Sequence, residues 1–173
     1  MKYTDAQYNQ MVERCKKIAS VFINHWAAKR APLDTMNNID DVDEYEVSQE
    51  EIEELFEQFK ETMGLECELG FFRDNEVEDG RYSEHMDAVT LPLCIGCYNE
   101  RKIVEHMTHE LYHAFQYAAI CNPTDYPCFD DVTIKKWDYE FHHYVSGAKD
   151  MTQYLGQEIE RTARDFGALL ANI

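Results

Sequence analysis

Residues 105–118, "EHMTHELYHAFQYA", hold three histidines and two glutamates within nine positions, on a background with helical spacing. Met107, Leu111, Ala114, Phe115 and Ala118 recur every three or four residues and form a stripe that faces a core. His109 and His113 flank that stripe. In an α-helix, positions i and i+4 lie about 40° apart around the axis and one turn along it. Two imidazoles so placed can meet one metal ion. Glu110 adjoins the first of them, where its carboxylate reaches a water on the metal rather than the metal itself. Zinc brings the pKa of such a water towards about 7, and the glutamate takes the proton as hydroxide attacks a carbonyl. His-Glu-x-x-His on a helix therefore predicts zinc-assisted hydrolysis, with His109 and His113 as ligands and Glu110 as general base and then proton donor.

A catalytic zinc needs a third protein ligand. His106 lies one turn before His109, but three ligands on one helix would spread over about 10 Å of axis, too far for one tetrahedral ion. His106 is left as a supporting, substrate-contacting or surface residue. The segment "LGQEIERTARDFGALL" offers two glutamates. Glu160 has Gly156, Ala163 and Gly167 on its flank, which lets two helices approach closely. Glu158 is surrounded by Tyr154, Arg161, Thr162 and Asp165. The flank favours Glu160.

Outward from these segments, residues 4–30 predict a long amphipathic helix ended by Pro32. An acidic loop follows. Ser48 with Glu51 predicts a capping box for a helix closed at Gly64. "LECELGFF" (65–72) and "AVTLPLCI" (88–95) read as strands, with the polar stretch 73–87 as a loop between them. Pro92 lacks an N–H, which places the second strand at a sheet edge. Asn99 caps the histidine-bearing helix, which runs to about Ile120. Two further helices are expected over 133–146 and 151–171. The order predicts one α+β domain over residues 1–173, mainly helical with a small mixed or antiparallel sheet; its N-terminal part, about 1–64, has no separate assignment.

The chain carries 34 Asp and Glu against 16 Lys and Arg, a net charge of −18, which argues against nucleic-acid or anionic-membrane partners. No apolar run reaches the length of a membrane span, and the first residues lack a secretory apolar stretch, so the expected location is the cytoplasm. Six cysteines in that setting read as thiols. Cys94 and Cys97 have C-x-x-C spacing, for which structural, metal-binding (with Cys121 and Cys128) and redox roles all stay open. Tyr117, one turn after His113, and His142 and His143, with Tyr139 and Tyr144 beside them, are candidates to contact substrate or a developing oxyanion.

His-Glu-Leu-Tyr-His with "ERTARDFGALL" 47 residues on resembles the gluzincin pattern, His-Glu-x-x-His followed by Glu-x-x-Ala-x-x-Phe. The resemblance is to zincin metallopeptidases such as the ImmA/IrrE-type and HtpX-type, over about residues 88–171. It implies a zincin-like fold, one Zn²⁺ held by His109, His113 and Glu160, a peptide or protein substrate, and substrate binding along the strand just before the active-site helix. Ala163 and Phe166 match the pattern. Where the relatives carry Asp or Asn to support a ligand histidine, this chain has Arg164, so that support must come from elsewhere. The alternative from another class is a zincin-like module that keeps its zinc without catalysis and binds a protein partner.

Overall fold

The computed structural model describes residues 3–30, 46–72 and 80–173. Pro32 and most of the acidic loop that follows, together with residues 73–79, lie outside the described residues.

Helix α1 (Asp5–Arg30) buries Met11, Cys15, Ala19, Ile23 and Trp26, a seam at intervals of three and four. Helix α2 (Gln49–Thr62) opens with the Ser48–Glu51 capping box and packs through Ile52, Leu55, Phe56 and Phe59. Gly64 follows its end at φ +63°, a left-handed position where a side chain is strained. A Cβ there would also lie 2.7 Å from the Tyr3 hydroxyl, which donates to Met63 O at 2.6 Å. Tyr3 thereby fastens the start of the chain to the end of α2.

Three strands form a small mixed sheet: β1 (Glu68–Phe72), β2 (Arg81–Ser83) and β3 (Ala88–Pro92), in the order β1-β3-β2. Strand β3 is therefore central, parallel to β1 and antiparallel to β2, and not the edge that Pro92 suggested. Pro92 is the last residue of β3, opposite Phe72, where little ladder remains for its missing N–H to interrupt. The strand also stops there, and Leu93–Cys97 turn into a 3₁₀ helix. The edges are β1 and β2, and β2 lies inside the stretch read as loop.

Helix α3 (Glu100–Cys121) starts at Asn99, whose side chain accepts from the Lys102 N–H at 2.8 Å. It crosses the centre of the molecule and buries twelve residues. Helix α4 (Asp131–His142) begins at the Asp130 cap and ends before Tyr144, earlier than its apolar spacing indicated. The stretch predicted as one helix over 151–171 is two, α5 (Met151–Gly156) and α6 (Glu158–Ala171), broken at Gln157. The Gln157 side chain pairs with both backbone groups of Val145, at 2.9 and 3.0 Å, and this tertiary tie replaces helical continuity. One apolar cluster runs from Tyr3 through α1, α2, the sheet and α3 to Leu170. The result is a mostly helical α+β fold, and no described helix is long and apolar enough to cross a membrane.

Candidate metal centre

Helices α3 and α6 lie side by side, with their closest approach at small residues of α6. A Cβ on Gly167 would come within 2.8 Å of Glu105 O, so only glycine fits this approach. Ala163 is fully buried one turn earlier. Gly156 contributes nothing to this flank, since it ends α5 and has open space around it. The break at Gln157 instead puts Glu160 in the first turn of α6, where the helix dipole favours a carboxylate.

That turn delivers Glu160 to the two histidines of α3. His109 Nε2 and His113 Nε2 are 3.1 Å apart, and each lies 3.5 Å from one Glu160 oxygen. The three side chains offer ligand atoms that all lie within 4.8 Å of one another, so the group can hold a metal ion. Glu158 is elsewhere: it pairs with Arg161 and lies 3.6 Å from Lys136.

The surroundings fit a cation. Glu160 is 2 % exposed, and its Oε1 accepts from the Tyr144 hydroxyl at 2.9 Å. Its Oε2 is buried with no hydrogen-bond partner, an arrangement that is costly unless a ligand completes it. Burial pushes the Glu160 carboxyl up, but His109, His113 and Tyr154 outweigh it and hold it at about 2. Burial, together with the neighbouring His109, lowers His113 to about 4, which keeps it neutral as a ligand must be. Burial also works against a charge on His109, yet the nearby carboxylates of Glu160 and Glu110 raise it above the ordinary imidazole.

Gln116 supplies the support that Arg164 does not. Its Oε1 lies 2.9 Å from His113 Nδ1, while its Nε2 donates to Ile159 O at 3.0 Å and Thr162 Oγ1 at 2.8 Å. With its N–H committed to the α6 side, the amide oxygen must accept from His113 Nδ1–H. This fixes the tautomer that leaves Nε2 free for a metal. The sequence reading passed over Gln116; its one signal was a polar residue, three places after His113, inside the apolar run of α3.

Beside the trio lies a cavity of about 760 Å³. Glu110, 5 % exposed, lines it, with its Oε1 3.9 Å from His109 Nε2. One wall is β2, through Arg81 and Tyr82, with Gly80 just before it; the others are Phe141, Tyr144 and the 146–154 region. His106 also lines it. The structure does not bring Tyr117, His142 or His143 there. Tyr117 packs on Tyr82 and Phe141 beside a second hollow near Cys121. His142 and His143 are exposed and bond to the Asp138 and Tyr139 carbonyls at 2.8 Å. Tyr144 enters instead, because α4 ends two residues before it. Cys94 and Cys97 are exposed free thiols on the 3₁₀ turn, and the Cys97 thiol donates to Glu46 at 3.0 Å. They do not line the cavity. No protein-family model, no curated protein and no solved structure matches the chain.

Proposed function

We propose that this protein is a zinc-dependent metallopeptidase with a zincin-like active site. The observation that carries the reading is the meeting of His109 and His113 from α3 with Glu160 from α6, next to Glu110 and an open cavity. His109, His113 and Glu160 would hold the ion. Two imidazoles and a carboxylate are the ligand set of a zinc that keeps one position open. When bound, zinc supplies a Lewis acid that acidifies a water molecule and polarises the scissile carbonyl.

The chain's own groups do the rest. Glu110 takes the proton of the attacking water and returns it to the leaving amine. Its buried setting keeps the carboxylate short of competing water and close to the histidines. Tyr144 orients Glu160 through Oε1, and Gln116 orients His113. Strand β2, the edge that borders the cavity, gives an extended peptide a partner for main-chain hydrogen bonds, which reassigns to Arg81–Ser83 the role expected of residues 88–95.

The test is zinc analysis and peptide hydrolysis, on a denatured protein substrate, for wild type and Glu110→Gln. About one zinc per chain in both, with hydrolysis reduced by roughly 100-fold or more in the variant, is the expected result. Equal hydrolysis by the variant would refute the role of Glu110. Zinc bound by both with no hydrolysis by either, across a broad peptide library, would favour the zinc-keeping interaction module.

A further inference from the structure

Arg164 reaches the metal centre from α6, one turn after Glu160. Its Nη1 is 3.8 Å from Glu160 Oε2, outside hydrogen-bond reach. Both atoms are buried and lack a hydrogen-bond partner. Arg164 Nη2 is fixed elsewhere, donating to Leu155 O at 3.0 Å, and the guanidinium lies over the Tyr154 ring at 5.6 Å. Orientation of Glu160 already comes from Tyr144 on Oε1. What Arg164 adds at this distance is charge.

Oε2 is the carboxylate oxygen left for an ion, because Oε1 is taken by Tyr144. A zinc about 2.1 Å from Oε2 would lie about 6 Å or less from Nη1. The guanidinium brings a full positive charge beside the position of the dication. Even with the full screening of bulk water, that repulsion weakens binding about tenfold, and more in a part-buried setting.

We propose that the Arg164 guanidinium, placed 3.8 Å from the free Glu160 oxygen, lowers the zinc affinity of this centre relative to a neutral residue at the same position. This rests on the metal reading above. The residue takes the place of a supporting acid and acts in the opposite sense: it lowers affinity while Gln116 preserves geometry.

The experiment measures zinc affinity at pH 7.5 by competition with a chromophoric chelator, for wild type, Arg164→Gln, Arg164→Met, Arg164→Lys and Glu160→Ala. Thermal unfolding of each metal-free form checks folding. The expected result is tighter binding by about tenfold or more in the two neutral variants, with Arg164→Lys closer to wild type. Neutral variants that bind no more tightly than wild type overturn the proposal, while Glu160-dependent zinc in the wild type leaves the metal centre standing. Loss of folding in both neutral variants also overturns it, because Arg164 would then serve the fold. Wild type without zinc overturns the metal reading and this inference together.

Discussion

Two regions of the molecule bury their side chains on different terms. Helices α1 and α2 bury apolar residues and one thiol, with no buried polar or charged side chain other than that thiol. The seam between α3 and α6 buries Thr108, Glu110, His113, Gln116, Gln157 and Glu160, and among the described residues these are all the buried polar or charged side chains. A buried polar group is tolerated when it is bonded and costly when it is not. Thr108, Gln116 and Gln157 are bonded to neighbouring backbone; Glu160 keeps an unpartnered oxygen. The α1–α2 side thus buries for stability alone, and the seam carries the polar cost, at the group that could hold a metal ion.

The sharpest way to break that contrast is to damage each side and read both properties. Phe56 is fully buried in α2, and Phe56→Ala should cost about 3–5 kcal/mol in denaturant unfolding. Zinc affinity of the folded fraction should stay within about twofold of wild type. A large change in affinity would mean that the α1–α2 side shapes the site after all.

Next in size is the effect of the metal itself. Zinc at a hundred times its dissociation constant should add about 2.7 kcal/mol to stability, reversed by chelation and absent in Glu160→Ala. Without metal, pH should act through the same residues. His113 sits at about 4 in the fold against 6.5 in the unfolded chain, so between these values the unfolded chain binds the extra proton and acid favours unfolding. Glu160, at about 2 against 4.5, extends the loss downward with the same sign. His109, raised above 6.5, works the other way above that pH. Melting temperature of the chelated protein should therefore fall on acidification from about pH 6.5, and His113→Gln should flatten the upper part of that fall.

Gln116 tests whether the seam's polar network is tuned or merely tolerated. Gln116→Met keeps the volume and removes the acceptor for His113 Nδ1–H, and should weaken zinc by about 10- to 100-fold. An unchanged affinity would show that the tautomer of His113 needs no such guide.

How much of this was legible in the sequence follows the same division. Features fixed by neighbours along the chain could be read: the Ser48–Glu51 box, the Asn99 cap, the helical spacing of α1 and α2, and the pairing of His109 with His113. Glu160 could be picked out because Ala163 and Gly167 mark a close helix contact. Features fixed by contacts distant in sequence could not. Gly156 permits a break before Gln157, but the break itself depends on the two bonds of Gln157 to Val145. Strand β2 has three residues in an acidic stretch and exists through pairing with β3. Pro92 was a true signal of an ending but not of an edge. The early stop of α4 then decided that Tyr144, and not His142 or His143, faces the centre.

Tyr144 gives the smallest and most discriminating effect. Its hydroxyl donates to Glu160 Oε1, and burial with the Glu160 charge raises its pKa, so it stays a donor. Tyr144→Phe removes one charge-assisted hydrogen bond, worth about 1.5–3 kcal/mol at most when both partners are buried. Tyr144 is half exposed, which puts the expected loss of zinc affinity at the lower end, about tenfold or less. If its role is only to hold Glu160, hydrolysis at saturating zinc should recover nearly to the wild-type kcat. A kcat that stays low at full zinc occupancy would place the hydroxyl on the reacting substrate, making Tyr144 a catalytic residue that the cavity selects from the candidates the sequence offered on that stretch.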